Sequence, residues 1–284
     1  MPSKTHDSPL FSFEFFPPKT EAGVENLNFV QQQLAKLNPD FFSVTFGAGG
    51  TTRDNTFDAV VNIQKTGFSA APHLSCVAST QQNIRDILKS YQDNGISKIV
   101  ALRGDLPSGM MSAGEFRYAN ELVQFIREET GEQFQIHVAA YPEVHPQAAS
   151  AAEDFKNFKR KVDAGADAVI TQYFYNADAY FYFVDNCEKQ GIEIPIVPGI
   201  MPITNYSQLF RFSDMCGADI PRWLRKRLEG FGDDTQSIQA FGLDMVSDLC
   251  QRLLDNGAPG LHFYTMNKLE PTLAIWESLG LSKE

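Results

Sequence analysis

Residues 10–45, LFSFEFFPPKTEAGVENLNFVQQQLAKLNPDFFSVT, contain two short apolar runs on either side of one helical pattern. The runs, Leu10–Phe15 and Phe41–Thr45, are rich in phenylalanine and have the length of strands. Over Val24–Leu37, leucine and valine recur at spacings of three and four, which places them on one helix face. A strand, a helix and a second strand in so short a stretch predict a βαβ unit with parallel strands.

The same alternation continues along the rest of the chain. Two further helical patterns are Ile84–Tyr91 and Ala119–Glu129. The further strand-like runs are Ala70–Cys76, Lys98–Leu102, Gln135–Ala140, Ala168–Gln172, Ile194–Pro198 and Gly260–Tyr264. Eight strands that alternate with helices predict the α/β class and a (β/α)8, or TIM, barrel fold.

We expect one domain over residues 1–284, because the chain contains neither an internal repeat nor a low-complexity linker. The segment Pro221–Leu228 predicts a short extra helix before the last long one, Thr235–Asn256. No role follows from the sequence for this extra helix.

The charge of the chain argues against a nucleic-acid ligand. Thirty-five acidic and 24 basic residues give a formal net charge of -11, whereas binding to phosphates needs a basic surface. Two short basic clusters occur, at residues 159–161 and 222–227. No apolar run approaches the roughly 20 residues that span a bilayer, so we expect no membrane partner.

Cysteine and histidine usage favours a cytoplasmic enzyme without a metal. The four cysteines form no CxxC pair, and residues 1–7 are polar and lack a signal-peptide pattern, so we expect reduced thiols. The five histidines form neither an HxH pair nor an HExxH motif, so no metal site is expected.

Polar residues lie at the ends of the predicted strands, where TIM-barrel enzymes place their chemistry. This pattern favours an enzyme but does not name the reaction. The residues are Glu14, Thr45, His73, Arg103, Gly104, Asp105, Tyr141, His145 and Gln172.

Residues 13–18, FEFFPP, place the carboxylate of Glu14 among three phenylalanines. Apolar surroundings disfavour the charged form and raise the pKa of a carboxyl group. Such a glutamate is a competent general acid near neutral pH. The alternative is a structural salt bridge at the end of the barrel.

Residues 103–105, Arg-Gly-Asp, form a polar turn directly after a predicted strand. Gly104 permits a close backbone approach to a ligand. Asp105 is suited to hold a ring nitrogen or an exocyclic amine of a heterocycle. The alternative is a simple turn with a surface ion pair.

A loop with two prolines, residues 138–146, precedes a helix whose polar side chains share one side. An Asp and an Asn beside cations are suited to a ribose and a diphosphate, and the alternative is a solvated face with ordinary ion pairs. Its polar residues are Asp154, Asn157, Arg160 and Lys161. The glycine-rich segment at residues 45–52 fits neither GxGxxG nor GxxxxGK[ST], so no Rossmann or P-loop site is expected.

Taken together and in order, the motifs from about Phe11 to Lys268 resemble methylenetetrahydrofolate reductases. The resemblance is to the bacterial catalytic barrel, without the regulatory domain of eukaryotic members. The motifs are FEFFPPK (13–19), SVTFGAGG (43–50), APHL (71–74), ALRGD (101–105), VAAYPEVHP (138–146), DFKNFKRKVDAGAD (154–167), ITQYFY (170–175), PGIMPI (198–203) and HFYTMN (262–267).

The resemblance implies a TIM barrel that holds FAD non-covalently at its C-terminal face. It implies that a hydride passes from NAD(P)H through FAD to methylenetetrahydrofolate by a ping-pong mechanism, in one-carbon metabolism and methionine biosynthesis. The acidic charge and the bacterial likeness favour NADH over NADPH. Relatives assemble as homo-oligomers, and we expect the same here.

The resemblance also implies roles for individual residues. Glu14 is the general acid, and Asp105 contacts the folate pterin and tunes the flavin. Substrate contacts are implied for Gln172, Gln208, Phe212 and Lys268, and a nicotinamide-side contact for Thr45. Contacts to FAD, or positions lining its site, are implied for Thr45, Phe46, Ala48, His73, Arg103, Gly104, Asp105, Tyr118, Ala119, Tyr141, His145, Ala148, Asp154, Asn157, Arg160 and Lys161.

Two residues depart from the family pattern. Lys268 stands where relatives often carry arginine. A lysine keeps the positive charge but lacks the two-pronged hydrogen-bonding fork of the guanidinium group. Phe46 stands where a tyrosine is often found, so a contact made by the hydroxyl would be lost.

Two other readings stay open on the residues alone. One is another flavin barrel, such as a proline dehydrogenase-like oxidase. The other is a non-catalytic barrel that binds a folate or a nucleotide, although such a protein gains little from a buried Glu14.

Overall fold

A computed structural model of the protein describes residues 9–46, 50–105 and 114–281. For residues 50–53 it describes the backbone but not the side chains. Ala48, which the resemblance places at the FAD site, lies outside the described residues. Its role therefore stays a prediction.

Strands and helices alternate along the described chain, as the sequence predicts. The strands are β1 (Leu10–Phe15), β2 (Phe41–Val44), β3 (Ala70–Ser75), β4 (Lys98–Leu102), β5 (Gln135–Ala140), β6 (Ala168–Thr171), β7 (Ile196–Val197), β8 (Gly199–Ile200) and β9 (Gly260–Tyr264). The helices are α1 (Glu21–Ala35), α2 (Gly50–Lys65), α3 (Gln81–Asp93), α4 (Ala119–Thr130), α5 (Ala151–Asp163), α6 (Ala177–Lys189), α7 (Tyr206–Cys216), α8 (Arg222–Phe231), α9 (Thr235–Asp255) and α10 (Glu270–Ser278).

The strands form a sheet in the order β7-β6-β5-β4-β3-β2-β1-β9-β8. Neighbours from β1 to β5 pair in parallel, as do β8 and β9. The register places Glu14 beside Ser43, and Ser43 beside Ala71. This element order and parallel pairing confirm the predicted (β/α)8 barrel fold.

The seventh predicted strand, Ile194–Pro198, has the wrong bounds. The structure has two short strands, β7 and β8, on either side of Pro198, which has no N–H to donate to a neighbour. The N–H of Gly199 bonds the Thr171 hydroxyl at 3.0 Å instead of a strand neighbour. A Cβ at Gly199 would lie 2.2 Å from the Thr171 carbonyl oxygen, so the residue at this position must be a glycine.

The first helix begins earlier than its apolar pattern. The side chain of Thr20 accepts the N–H of Gly23 at 3.1 Å and starts α1 at Glu21 rather than at Val24. The predicted extra helix exists as α8, in which Leu224 and Leu228 are buried one turn apart.

The alternation of side chains along the strands separates an apolar face from a polar face. Phe13 and Phe15 of β1 pack against Phe42 of β2, with ring centroids 5.9 and 5.7 Å apart. Burial of one phenylalanine side chain stabilises the fold by roughly 1.5–3 kcal/mol. Glu14 and Ser43 lie on the opposite face of the same strands.

The described residues form two compact units. Unit A comprises the described part of residues 12–139 together with residues 157–169, and unit B comprises residues 9–11, 140–156 and 170–281. The expectation of a single domain stays a prediction.

All four cysteines are free. Burial raises the pKa of the Cys76 and Cys187 thiols to about 12, so both remain protonated at neutral pH. Within the described ranges, no helix has both the length and the apolar character that crossing a membrane requires.

A half-buried ion pair joins α4 to the strands of unit A. Nη2 of Arg127 lies 2.6 Å from Oδ2 of Asp167, and the same oxygen accepts the N–H of Ile136 at 2.6 Å. The guanidinium also donates to the carbonyls of Phe134 and Gly165, each at 2.8 Å. Arg127 therefore satisfies backbone groups at the starts of two neighbouring strands.

Replacing Arg127 by alanine should reduce the free energy of unfolding by about 2–4 kcal/mol, because Asp167 loses its cationic partner and the carbonyls of Gly131, Phe134 and Gly165 lose a side-chain donor. Urea denaturation measures the change. Arg85→Ala is the matched control, because Arg85 pairs with Glu129 at 2.6 Å but with 42% of its side chain exposed. An exposed pair contributes little, so equal losses in both variants would contradict this account.

Candidate active site

Glu14 and His73 form a buried pair on the polar face of unit A. Glu14 is the fifth residue of β1, and His73 is the fourth residue of β3. Oε2 of Glu14 lies 3.1 Å from Nε2 of His73, and only 9% and 8% of the two residues are exposed. The distance is that of a hydrogen bond, but the alignment is not. We therefore describe the contact as electrostatic.

The sheet register explains why these two side chains meet. Glu14 is level with Ser43 and Ala71, and His73 follows Ala71 by two residues. Side chains two residues apart on a strand share a face, so His73 and Glu14 point the same way. The pair therefore depends on the parallel register of β1, β2 and β3.

The Arg-Gly-Asp turn follows β4 in unit A. Gly104 has φ of 80°, and a Cβ there would lie 1.8 Å from the hydroxyl oxygen of Ser75. The close approach observed is thus to β3, where the Ser75 hydroxyl donates to the Arg103 carbonyl at 2.9 Å. Nη2 of Arg103 lies 3.9 Å from Oδ1 of Asp105, whose side chain is 94% exposed. Two of the candidate site's carboxylates therefore differ, because Glu14 is enclosed whereas Asp105 is open to solvent.

Thr45 and Phe46 follow β2 and are half-buried. The N–H of Thr45 donates to the carbonyl of Phe15 at 2.9 Å, and the Thr45 carbonyl accepts the Thr56 hydroxyl at 2.9 Å. The backbone of Thr45 is thereby fixed at the end of β2. Its side chain lies beyond the last strand residue, on the same face as Glu14 by the strand alternation.

Tyr118 and Ala119 start α4 in unit A. Tyr118 is the N-cap, with the N–H groups of Arg117 and Tyr118 bonded to Oε2 of Glu121 at 2.6 and 3.3 Å. The Tyr118 ring is exposed, whereas Ala119 is buried. The side chain of Tyr118 is therefore accessible to a ligand, whereas that of Ala119 is not.

The cationic end of α5 belongs to unit A. Lys161 donates its ammonium to the carbonyl of Ala139 at the end of β5, and Arg160 donates to the side chain of Asn157 at 2.6 Å. The predicted cluster is thus held by local bonds.

The loop after β5 belongs to unit B and is bonded to the start of α5. The N–H of His145 donates to Oδ2 of Asp154 at 2.8 Å, and the N–H of Ala148 donates to the His145 carbonyl at 2.9 Å. The rings of Tyr141 and His145 meet edge to face, with centroids 4.5 Å apart. Four of the predicted FAD residues are thus brought together here.

The same loop is bonded to the end of α7. The N–H of Asp219 donates to Glu143 at 2.8 Å, and burial raises the pKa of this carboxyl group. Gly217 has φ of 75°, and a Cβ there would lie 2.9 Å from Pro146. The loop and the segment at the C-terminal end of α7 are therefore in direct contact.

Two of the predicted substrate residues line one cavity in unit B. Gln208 on α7 and Lys268 after β9 face a space of about 580 Å³. The other lining residues are Thr204, Asn205, Ser207, Arg211, Thr235 and Gln239. These described lining residues combine two cations with hydroxyl and amide groups, and none of them carries a carboxylate. Such a cavity suits an anionic or strongly polar ligand.

Gln172 and Phe212 are not among the described lining residues of this cavity. The side-chain carbonyl of Gln172 accepts the N–H of Tyr173 at 3.0 Å, and the Arg211 guanidinium lies 5.4 Å from the centroid of the Phe212 ring. The structure therefore places Gln208 and Lys268 at the same cavity, whereas Gln172 and Phe212 are not among its described lining residues.

Sequence reasoning missed Arg211 and Asn205. Asn205 is the N-cap of α7, and its side chain accepts the N–H of Gln208 at 2.8 Å. This Asn-to-Gln spacing is typical of a helix start, and Arg211 follows Gln208 by three residues, on the same side of the helix. The helix pattern was therefore the signal that could have found both residues.

The fold and its polar strand ends are those of a barrel enzyme. A model of the family described as methylenetetrahydrofolate reductase matches residues 2–280. The chain belongs to this family, whose members are oxidoreductases. The resemblance predicted from the motifs is thus confirmed.

Relatives of known name agree with this assignment. The chain is 43% identical over 271 residues to the 5,10-methylenetetrahydrofolate reductase of Escherichia coli (strain K12), covering 95% of this chain and 90% of that protein. It is 40% identical over 288 residues to methylenetetrahydrofolate reductase (NADH) 1 of Arabidopsis thaliana. This match covers 96% of this chain and 49% of the plant protein.

A solved structure shares the fold. It is an uncharacterized protein from Clostridium thermocellum that binds two copies of 5-methyl-5,6,7,8-tetrahydrofolic acid. The TM-score is 0.67 at 16% identity, over 96% of this chain and 95% of that one. At this identity the likeness concerns the fold alone.

Replacing Gly104 by alanine should destabilise unit A and loosen the end of β3, because the new Cβ displaces the Ser75 hydroxyl from the Arg103 carbonyl. We expect the free energy of unfolding to fall by about 1–3 kcal/mol, in addition to the cost of placing an alanine at a positive φ. Urea denaturation measures this change. Gly131→Ala is the matched control, since its φ is 59° and no atom lies within 4 Å of the new Cβ. Equal losses would mean that the φ angle alone requires the glycine.

Proposed function

We propose that this protein reduces 5,10-methylenetetrahydrofolate to 5-methyltetrahydrofolate with a hydride from NADH. Family membership over residues 2–280 and the names of the bacterial relatives support the reaction. The structural observation that carries it is the enclosed Glu14, held near the end of β1 against His73. A carboxyl group so placed is suited to deliver a proton to a bound substrate.

FAD is the proposed cofactor, and the chemistry of the assigned residues fits it. A diphosphate needs cations and N–H donors, which Arg103, Arg160 and Lys161 supply. A ribose needs an acceptor for its hydroxyls, which Asp154 supplies. When bound, FAD supplies the transfer of hydride between the two substrates. The remaining FAD residues of the family pattern keep their roles as part of this proposal.

The residues of the chain then have separate tasks. Glu14 gives a proton to N10 of the folate, so that the five-membered ring opens. Asp105, open to solvent in the structure, accepts hydrogen bonds from the pterin. Gln208 and Lys268 line a cavity whose donors suit the carboxylates of the glutamate tail. Gln172 and Phe212 are proposed to contact each substrate in turn.

NADH is proposed over NADPH, and the names of plant relatives, which specify NADH, support this choice. Because one substrate follows the other at the same cofactor, we propose ping-pong kinetics. Homo-oligomeric assembly and a cytoplasmic location stay predictions.

An anaerobic absorbance spectrum of the purified protein tests the proposal. We expect a yellow protein that bleaches with NADH and regains its colour with methylenetetrahydrofolate. Bleaching by NADPH alone would correct the co-substrate. A yellow protein that neither dinucleotide bleaches would favour a different flavin barrel, such as a proline dehydrogenase-like oxidase. A protein that cannot take up FAD would overturn the cofactor assignment and favour a binding role.

Replacing Glu14 by glutamine should leave FAD binding and the oxidation of NADH intact and slow folate reduction by about 10²- to 10⁴-fold, the usual contribution of a general acid. Stopped-flow absorbance measures the two half-reactions separately. Glu25→Gln, on the exposed side of α1, is the matched control and should change neither. Folate reduction at the parent rate in Glu14→Gln would remove the acid role.

Replacing Lys268 by methionine should raise the KM for methylenetetrahydrofolate about tenfold, because a hydrogen bond to a charged group is lost from the cavity. The oxidation of NADH should be unaffected. Lys65→Met, an exposed lysine in the last turn of α2, is the control. If the KM stays the same, the cavity does not hold the folate.

A further inference from the structure

A second cavity opens in unit B, next to the one that Gln208 lines. Its volume is about 560 Å³, which lies within the range of small-molecule sites. Thr204, Gln239 and Lys268 line both cavities, so the two are neighbours. The family resemblance gives Lys268 a role, but it assigns none to the helices that form most of this second cavity.

The second cavity lies between α9 and α10, and each helix contributes one face to it. Most of the lining residues within a helix are three or four positions apart or adjacent, as expected for one side of a helix. They are Gln236, Gln239, Ala240, Gly242 and Leu243 on α9, and Glu270, Pro271, Ala274 and Ile275 on α10. In both helices the polar lining residues come first and the apolar ones follow.

The beginnings of the two helices lie at the same end of the cavity. Lys268 is two residues before α10, and it lines the first cavity together with Thr235 and Gln239 from the start of α9. The polar residues of both helices are therefore close to Lys268. The second cavity thus has a polar end near Lys268 and an apolar end farther along the helices.

The apolar end is closely packed. Ile203 and Ile275 line the cavity and are only 3% and 1% exposed. Gly242 of α9 lies against Ile203, and a Cβ there would lie 2.4 Å from the Ile203 carbonyl oxygen. Leu243 and Ala274 also line the cavity and are half-buried. An apolar group that enters this end is therefore removed from water.

The polar end carries one charge of each sign. Lys268 and Glu270 are the charged residues of the described lining, and both are exposed. Neither side chain has a hydrogen bond or an ion pair with another described residue. Gln236 and Gln239 add amide groups. A cation, a carboxylate and two amides are therefore available to a ligand.

We propose that the second cavity binds an α-amino acid with an apolar side chain, and that this ligand competes with the folate tail for Lys268. An α-amino acid carries a carboxylate and an ammonium group on one carbon, and these match Lys268 and Glu270 in charge. Its side chain packs at the apolar end. The binding is independent of the proposed function, whereas the competition rests on it.

The lining disfavours other small ligands. A diphosphate is best bound by several cations, and Glu270 repels it from the single cation of the described lining. A further glutamate of a folate tail meets the same repulsion and brings no apolar group. A divalent metal ion needs several oxygen ligands, and Glu270 is the one carboxylate of the described lining. A zwitterion with an apolar side chain uses both charges and the apolar end.

Lys268 links the two cavities. In the proposed function its ammonium group binds a carboxylate of the folate tail in the first cavity. When that ammonium group binds the carboxylate of an amino acid in the second cavity, the folate loses the contact. Bound amino acid should therefore raise the KM for methylenetetrahydrofolate, as Lys268→Met does, and leave kcat unchanged.

Calorimetric titration of the purified protein with L-phenylalanine tests the binding in the absence of folate. Among its analogues, 3-phenylpropanoate lacks the ammonium group, 2-phenylethylamine lacks the carboxylate, and L-alanine lacks the large apolar group. We expect each to bind at least about tenfold more weakly, because each loses one of three contacts. L-Glutamate, whose side chain is anionic, should also bind more weakly. An analogue that binds as tightly as L-phenylalanine, or the lack of any binding by L-phenylalanine, would overturn the proposal.

Two variants assign the charges. Glu270→Gln should weaken the binding of L-phenylalanine about tenfold and should not weaken that of 3-phenylpropanoate, which has no ammonium group. Lys268→Met should weaken L-phenylalanine but not 2-phenylethylamine. Glu277→Gln, which changes an exposed carboxylate of α10 outside the described lining, is the matched control and should weaken neither. Any other pattern would contradict the proposed arrangement.

Steady-state folate reduction tests the competition separately. We expect saturating L-phenylalanine to raise the KM for methylenetetrahydrofolate about tenfold in the parent and to have no effect in Lys268→Met. An unchanged KM in a parent protein that binds L-phenylalanine would rule out the competition. A protein that reduces no folate would instead refute the proposed function, and the calorimetric result would still stand.

Discussion

The alternation of side chains along the parallel strands β1 to β5 is the constraint on which the rest of the structure depends. Every second residue faces the helices, so Phe13, Phe15 and Phe42 pack together and remove apolar surface from water. The residues between them face the opposite side, where Glu14 and Ser43 are level with each other. A slip of the register by one residue would exchange the two faces and bury the carboxylate among the phenylalanine rings.

The enclosed carboxylate of Glu14 is the least favourable feature of this arrangement. An ionised carboxylate in a site of low polarity costs several kcal/mol unless a partner compensates it. His73 is a polar neighbour of this group, because the register of β3 sets its imidazole on the same face, with Nε2 3.1 Å from Oε2 of Glu14. The side chain of Glu14 is thus kept out of bulk water beside a polar neighbour. Asp105, which is exposed, carries no such cost and is suited to hydrogen bonding with a substrate.

Loop positions are set by close backbone approaches that only glycine permits. Gly104 lies against Ser75 and Gly217 lies against Pro146, both at positive φ. The first contact joins the ends of β3 and β4 in unit A. The second joins the loop after β5 to the end of α7 in unit B. In both places a larger residue would have to move an element that carries candidate site residues.

Much of the fold, and many of the candidate site residues, follow from the sequence. β1, β4, β5 and β9 have the predicted bounds, because strand length and apolar content are local properties. The motifs named the family and the candidate residues, including Glu14 and Lys268. The roles of those residues stay predictions, since a motif identifies a residue without showing what it touches.

The tertiary structure decided which residues meet. The sequence gives no sign that Glu14 contacts His73, because the contact arises from the register of three paired strands. Next to the division of the seventh strand at Pro198, the N–H of Gly199 bonds the hydroxyl of Thr171, which is distant in the sequence. Arg211 joins Lys268 at a cavity only when α7 packs near the end of β9. Local patterns determine elements because neighbours in the chain set backbone preferences, whereas contacts between elements depend on how all the apolar faces are buried together.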